Sequence, residues 1–196
     1  MTLEALKWTA LALMVLDHTA HVFGWPEAWR APGRLVFPVL AALMGYHLHR
    51  GAPPDKYLRR LLPFALLAQP AYALALGGGV FPLNILFSLA SGALLVRGDL
   101  PLALAISLLS EMPTAALVIW AFARGLPLLG TAVALATFWA MGWSLPFLFL
   151  YLLGFGAWWL ASRLPPGRRL PWWAAYAFYP AQFALLGGLK RLLERL

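Results

Sequence analysis

The sequence lacks cysteine altogether and is poor in charged and amide side chains. Its 196 residues include no Cys, one Asn and two Gln, and only 11% are Asp, Glu, Lys or Arg. The absence of cysteine excludes disulfide bonds, thiolate catalysis and zinc–thiolate sites. Hydrophobic residues make up 62% of the chain, more apolar surface than a soluble domain of this length is expected to bury. The composition therefore predicts an integral membrane protein.

The apolar runs predict an all-α fold, a polytopic membrane helix bundle of about eight transmembrane helices. No polar segment is long enough for a separate soluble domain, so residues 1–196 are predicted to form a single membrane domain. The fifth span is expected to be kinked or broken at Pro113, because proline cannot donate the helical hydrogen bond. Gly77-Gly78-Gly79 predicts a tight turn. The predicted spans cover residues 5–23, 33–49, 56–76, 81–96, 100–123, 126–142, 145–161 and 172–189.

The net charge of +8 indicates membrane lipids rather than nucleic acid as the partner. The basic residues cluster at the ends of the predicted helices, where they meet lipid headgroups. Their slight excess on the side that holds both termini predicts cytoplasmic termini and an inner-membrane location. The first apolar run has no small-residue cleavage site, so it is expected to be a retained helix.

The first candidate site lies in this first helix. Asp17, His18 and His21 interrupt an apolar stretch, and ionisable groups in such a stretch are costly and usually functional. Asp17 and His21 are four residues apart and share a helix face, and a neighbouring carboxylate raises the basicity of an imidazole. Lys7 lies eleven residues before His18, on the same helix face and about 16 Å away along the axis. The cluster predicts general-base chemistry at His18.

Further candidates are a basic group, one glutamate and several polar helix residues. Lys56, Arg59 and Arg60 open the third span and are suited to binding phosphates, although positive-inside anchoring explains them equally well. Arg34 opens the second span and is expected to turn its charge into the bundle. Glu111 precedes Pro113 and is expected to face a cavity or to pair with a cation. The other residues predicted to line a cavity or to contact the acceptor are Asn84, Ser88, Tyr176, Tyr179 and Gln182.

Three other interpretations of these polar residues remain open at this level. Asp17, His18 and Glu111 could form the relay of a small proton-linked transporter. Alternatively, the same residues have a purely structural role and join helices by hydrogen bonds. A zinc site at His18-x-x-His21 is not favoured because no other helix supplies a clear ligand, and we expect no metal.

Several segments resemble a known family when they are taken in order along nearly the whole chain. They are Leu6-Lys7-Trp8 through Leu16-Asp17-His18, Gly33-Arg34-Leu35-Val36-Phe37-Pro38, Lys56-Tyr57-Leu58-Arg59-Arg60-Leu61, Asn84-Ile85-Leu86-Phe87-Ser88-Leu89 and Tyr176-Ala177-Phe178-Tyr179-Pro180. The ordered set resembles the TraX family of integral membrane acetylases, which is named for the F-pilin acetylation protein. That family resembles the membrane acyltransferase-3 superfamily, whose basic-x₁₀-His and basic-x-x-Arg patterns are matched by Lys7 with His18 and by Lys56 with Arg59.

The resemblance implies a membrane-embedded acyltransferase with cytosolic acetyl-CoA as its donor. It implies an intramembrane His18 as the catalytic residue, which we expect Asp17 to orient, and a basic pair near the CoA phosphates. The residues expected to bind the donor are Lys7, Lys56, Arg59, Arg60 and Arg34. The acceptor is an amine or hydroxyl of a small molecule, a glycan or a protein N-terminus. Gln182 stands where family members often have a histidine, and Glu111 where aspartate is more usual.

Overall fold

The polypeptide folds almost entirely into helices. The computed structural model describes residues 1–77, 79–143, 145–168 and 171–195, so Gly78 of the predicted glycine turn lies outside the described residues. Within these ranges there are ten α-helices and one 3₁₀ segment, which confirms the predicted all-α class. They are α1 Leu3–Val22, the 3₁₀ segment Glu27–Leu35, α2 Val36–His49, α3 Pro54–Leu76, α4 Ile85–Arg97, α5 Leu100–Leu109, α6 Ala115–Ala123, α7 Pro127–Ala140, α8 Pro146–Phe155, α9 Ala157–Ala161 and α10 Trp172–Leu193.

Local sequence signals explain where several helices begin and end. The Thr2 hydroxyl accepts a hydrogen bond from the Ala5 N–H at 3.1 Å and caps α1. The Asn84 side chain accepts from the Leu86 N–H at 3.1 Å and caps α4. These oxygens satisfy helix N–H groups that lack an intrahelical partner. α3 ends at Gly77, whose φ of 71° is a backbone conformation that glycine adopts without strain.

The helices that surround the candidate site pack through rings and small residues. α3 and α10 run in the same direction side by side. Phe64 contacts Tyr176, and further along both helices Tyr72 contacts Phe183. α4 packs between α3, α5 and α6, and Gly92 lets it approach Ile119 of α6, because a Cβ at position 92 would lie only 2.5 Å from that side chain. α1 packs against the 3₁₀ segment, α2 and α10.

The prediction of a polytopic membrane bundle is wrong for the described part of the chain. None of the helices there is both long enough and apolar enough to cross a bilayer. Only α1, α3 and α10 have 20 residues or more, and each carries charged side chains. The more apolar runs are divided: the predicted seventh span becomes α8 and α9, of 10 and 5 residues.

The predicted fifth span is also divided, and this break has a structural role. α5 and α6 have 10 and 9 residues and are separated by residues 110–114, which confirms the expected break around Pro113. The Leu83 N–H donates to the Leu109 carbonyl at 2.8 Å, and the Glu111 N–H donates to the Leu83 carbonyl at 2.9 Å. This short parallel pairing holds Glu111 beside the N-terminus of α4.

Candidate functional site

A cavity of about 580 Å³ lies between α1, the 3₁₀ segment, α3 and the loop that separates α5 from α6. Cavities of this size commonly hold small-molecule ligands. Its wall combines apolar side chains with several ionisable ones, some of which the sequence had predicted to act together. The polar and aromatic residues that concern us are Asp17, His18, His21, Glu27, Arg30, Arg34, Tyr72, Ser110, Glu111 and Trp143.

His18 of α1 is buried against α10. Its Nδ1 lies 3.1 Å from the Gln182 side-chain amide nitrogen, and its ring centre lies 4.5 Å from that of Phe183. Burial lowers the pKa of His18 from 6.5 to about 4, and the charge of Asp17 opposes this shift without cancelling it. The imidazole is therefore uncharged at neutral pH and is able to accept a proton.

Asp17 is paired with an arginine instead of the neighbouring imidazole. The Arg30 Nε donates to the Asp17 Oδ1 at 3.1 Å, which joins the 3₁₀ segment to α1. Gly33 makes this approach possible, because a Cβ at position 33 would lie 2.3 Å from the Asp17 Cβ. Asp17 thus acts on His18 through its charge, whereas the hydrogen bond that orients the ring comes from Gln182.

Arg34 points into the same cavity from the 3₁₀ segment. Its guanidinium carbon lies 4.5 Å from the ring centre of Trp143 and 5.6 Å from that of Phe147. The Nε is buried and has no hydrogen-bond partner. Burial lowers the pKa of Arg34, while the charges of Asp17 and Glu111 oppose this shift. An arginine nevertheless remains protonated at neutral pH.

Glu111 interacts with two elements. Tyr72 of α3 and the backbone at Ile85, at the start of α4, both favour the ionised form of its carboxylate. Burial outweighs these interactions and raises the pKa of Glu111 from 4.5 to about 7. The carboxyl group is therefore partly protonated at neutral pH.

The raised pKa of Glu111 predicts a measurable effect on stability. A raised pKa means that the folded state binds the proton more tightly than the unfolded state, so the stabilising effect is full below about pH 4.5 and is lost as the pH rises through about 7. We expect the free energy of unfolding of the wild type, relative to Glu111→Gln, to fall by about 3 kcal/mol over this interval. Denaturant unfolding of both proteins from pH 4 to pH 8 measures the difference.

The lowered pKa of His18 changes the free energy of unfolding in the opposite direction with pH. The measurement must therefore compare the wild type with the Glu111→Gln variant and not use the wild type alone. The lowered pKa of His18 stabilises the fold fully above about pH 6.5, and this contribution is lost as the pH falls towards 4. Both proteins retain His18, so its contribution cancels in the difference. A difference that is constant with pH contradicts a raised pKa at Glu111.

The structure brings together five of the residues predicted from the sequence. Asp17, His18, His21, Arg34 and Glu111 all line the cavity. Burial also lowers the pKa of His21, with a further contribution from the positive charge of Arg30, so this second imidazole is uncharged at neutral pH as well.

The remaining basic candidates lie outside the cavity lining. Lys7 forms an ion pair with Glu4 at 2.6 Å on the outer part of α1. Lys56 and Arg59 are exposed at the start of α3. Arg60 lies over the Trp172 ring, 4.9 Å from its centre, and it interacts with Tyr176 of α10.

The other polar candidates support the wall or the helix packing. Asn84 donates to the Ala65 carbonyl and to the Gln69 side chain of α3, besides capping α4. The Ser88 hydroxyl donates to that of Ser110, which lines the cavity. Neither Asn84 nor Ser88 reaches the cavity surface itself.

The three candidates on α10 are likewise outside the lining. Tyr176 stacks on Phe64, and Tyr179 packs edge-on against His18, with its hydroxyl buried and without a hydrogen-bond partner. Gln182 contacts the buried side of the His18 ring.

Five of the polar and aromatic cavity residues were missed at the sequence level: Glu27, Arg30, Tyr72, Ser110 and Trp143. Arg30 and Arg34 are four residues apart, a spacing that shares a face in an α-helix but not in the 3₁₀ segment that forms here. Local spacing therefore does not predict that Arg30 lines the cavity. Nothing in the sequence distinguishes Tyr72 or Trp143 from the other aromatic residues near helix ends.

Comparison with known proteins gives two matches. Residues 2–99, half of the chain, match the family model described as TraX protein. Protein TraX of Escherichia coli is 38% identical over 92 residues, which are 46% of this chain and 37% of that protein. The chain thus aligns with little more than a third of that relative. No solved structure matches the chain significantly.

Proposed function

This chain belongs to the TraX family, and from this we propose that it transfers an acetyl group from acetyl-CoA to an amine or hydroxyl acceptor. The link of the family to F-pilin acetylation supports the reaction class. We assign the reaction to His18 because its imidazole is uncharged and lies on the wall of a cavity large enough for a substrate. The matched residues 2–99 include this histidine.

In the proposed reaction His18 acts as general base. It takes the proton of the acceptor amine or hydroxyl while the acceptor atom forms a bond with the thioester carbonyl carbon. The carbon–sulfur bond then breaks, and the imidazolium returns the proton to the CoA thiolate. Asp17 stabilises the imidazolium by its negative charge, since that charge raises the pKa of His18.

The orientation of the Gln182 amide determines which ring nitrogen of His18 is free to accept the proton. With its nitrogen towards Nδ1, Gln182 donates to the ring, and the imidazole proton then resides on Nε2. Rotation of the amide by a half turn presents Oε1, which has no partner in the first orientation, to an Nδ1–H. We assign the second orientation to the reactive form, because it leaves the Nε2 lone pair free to accept a proton.

We further propose that Lys56 and Arg59 bind the CoA phosphates. Both side chains are exposed, and no carboxylate of the described residues pairs with either one. Arg60 and Tyr72 are twelve residues apart in α3, which corresponds to about 18 Å along the axis. In this arrangement the acyl arm extends along α3 from the basic end towards the cavity.

Replacing both residues by alanine is expected to raise the Kd for acetyl-CoA at least tenfold. Hydrogen bonds between charged groups contribute about 1.5–3 kcal/mol each, and about 1.4 kcal/mol corresponds to a factor of ten. Calorimetry with the purified protein measures the change, and Arg124→Ala serves as the control because Arg124 is an exposed arginine over a tryptophan ring. An unchanged Kd in the double variant contradicts the donor site.

The experiment that tests the function itself measures release of the CoA thiol. Purified protein is incubated with acetyl-CoA and a panel of primary amines and alcohols, and acetylated products are identified by mass spectrometry. Acceptor-dependent thiol release with a matching acetylated product supports the proposal. Well-folded protein that binds acetyl-CoA but acetylates no acceptor contradicts it, as does uptake of a substrate without consumption of acetyl-CoA.

A further inference from the structure

The guanidinium of Arg34 has hydrogen-bonding capacity that the protein does not use. Its Nε is buried without a partner, and none of the ion pairs among the described residues includes this side chain. A buried charged donor without a partner is more costly than a neutral one. Such a group in the wall of a cavity indicates a ligand that supplies the missing acceptor.

Two aromatic rings lie beside the guanidinium of Arg34, and neither supplies a carboxylate or carbonyl acceptor to its N–H groups. The rings of Trp143 and Phe147 lie 4.5 Å and 5.6 Å from the guanidinium carbon. The N–H groups lie in the guanidinium plane and point outwards from its edge. This edge, at which the Nε has no partner in the protein, is the part of a guanidinium that binds carboxylates and phosphates in a bidentate manner.

The carboxylates near Arg34 are engaged elsewhere. Asp17 accepts a hydrogen bond from Arg30, and Glu111 interacts with Tyr72 and with the backbone at the start of α4. Both act on Arg34 through their charge without a hydrogen bond to it. Glu27 also lines the cavity, and its charge likewise favours the protonated guanidinium.

We propose that Arg34 binds an anionic group, a carboxylate or a phosphate, of the molecule that is acetylated at His18. Both residues line the same cavity, so one ligand can contact both. Identification of this molecule as the acceptor rests on the proposed function, whereas the binding of an anion at Arg34 does not. The acceptor is then an amine or alcohol that also carries a negatively charged group. An amine without such a group is expected to be a poor substrate.

The first test measures anion binding and needs no acetyl transfer. Acetate and inorganic phosphate are titrated into the purified protein at constant ionic strength set with chloride, and the arginine Nε–H resonances are followed by ¹⁵N NMR. We expect one Nε–H resonance, absent from Arg34→Lys, to shift with saturation. Arg124→Gln is the matched control, because Arg124 lies over Trp120 outside the cavity, and it is expected to leave the titration unchanged.

A titration without a saturable shift of that resonance overturns the anion site. Arg34→Lys keeps the positive charge and is therefore less disruptive to the fold than a neutral replacement, while it lacks both the Nε–H and the planar fork. We expect it to bind either anion at least tenfold more weakly than the wild type. Equal binding by Arg34→Lys and by the wild type also overturns the assignment.

The second test distinguishes the two possible sources of the anion. Transfer kinetics are compared for paired acceptors that differ only in the presence of a carboxylate or phosphate, with wild type and Arg34→Lys. We expect the variant to raise the KM of the charged acceptor at least tenfold and to leave the KM values of the uncharged acceptor and of acetyl-CoA within twofold. A rise confined to the KM of acetyl-CoA shows that Arg34 binds a donor phosphate, and this overturns the acceptor assignment.

Failure of the proposed function is recognisable separately. If the wild type transfers no acetyl group to any acceptor while the Arg34 resonance still responds to acetate or phosphate, the acyltransferase proposal and the acceptor assignment both fail, and the anion site itself stands.

Discussion

Replacing His18 by alanine is expected to lower the rate of acetyl transfer by about 10²- to 10⁴-fold, the usual contribution of a general base. The imidazole is uncharged at neutral pH and lines the cavity, so its removal deletes the proposed proton acceptor. The rate of acceptor-dependent CoA thiol release measures the effect. Binding of acetyl-CoA, which we place at the other end of α3, is expected to remain within twofold.

The controls must separate loss of the base from loss of the fold. His18 is buried against Gln182 and Phe183, so alanine leaves a void and an unsatisfied amide. His18→Gln retains more of the volume and a polar end but cannot act as a base at neutral pH, and it is expected to be equally inactive. His49→Ala removes an exposed imidazole that lies outside the cavity and is expected to stay active. Transfer by either His18 variant at the wild-type rate contradicts the assignment.

A Gly33→Ala substitution is expected to destabilise the protein by about 1–3 kcal/mol, the usual cost of overpacking. The added Cβ would lie 2.3 Å from the Asp17 Cβ and 2.6 Å from its Cγ. The Asp17 Cβ is attached directly to the backbone of α1, so it cannot rotate away, and the 3₁₀ segment must move instead. That movement separates Arg30 from Asp17, so transfer is expected to fall together with stability. Denaturant unfolding and thiol release measure the two effects.

Gly188→Ala is the matched comparison. Gly188 lies in α10, and a Cβ there has no atom within 4 Å. Because alanine is the better helix former, this variant is expected to gain up to about 1 kcal/mol. A Gly33→Ala protein as stable as the wild type means that the segment at Gly33 is not fixed against α1.

Part of this architecture could be predicted from the sequence because it depends on local rules. Apolar runs bounded by proline and glycine give helices, and Pro113 marks the separation of α5 from α6. The cost of polar groups in an apolar helix singled out Asp17 and His18, and both line the cavity. These inferences require only helix periodicity and the free-energy cost of burying ionisable groups.

The predicted transmembrane spans failed because hydropathy alone does not give the lengths of helices. An apolar composition is compatible with several short helices joined by turns, and the described residues form such helices. Whether a run of 17 residues, such as the predicted span 145–161, is one helix or two depends on turns that average hydropathy does not detect.

The rest of the site depends on contacts between distant segments. Arg30 is assigned to the cavity by its pairing with Asp17, and Tyr72 by its interaction with Glu111. Trp143 is assigned to the cavity by its contact with Arg34. Such partners follow from the packing of α1, the 3₁₀ segment and α3, which a single sequence does not specify.

The contact between His18 and Gln182 joins residues that are 164 positions apart. Contacts of such long range close a large loop and are therefore slow to form. During synthesis the histidine of α1 is made before its partner in α10. The imidazole consequently acquires its fixed orientation only when α10 docks beside α1 and α3, so the proposed general base is positioned late in folding.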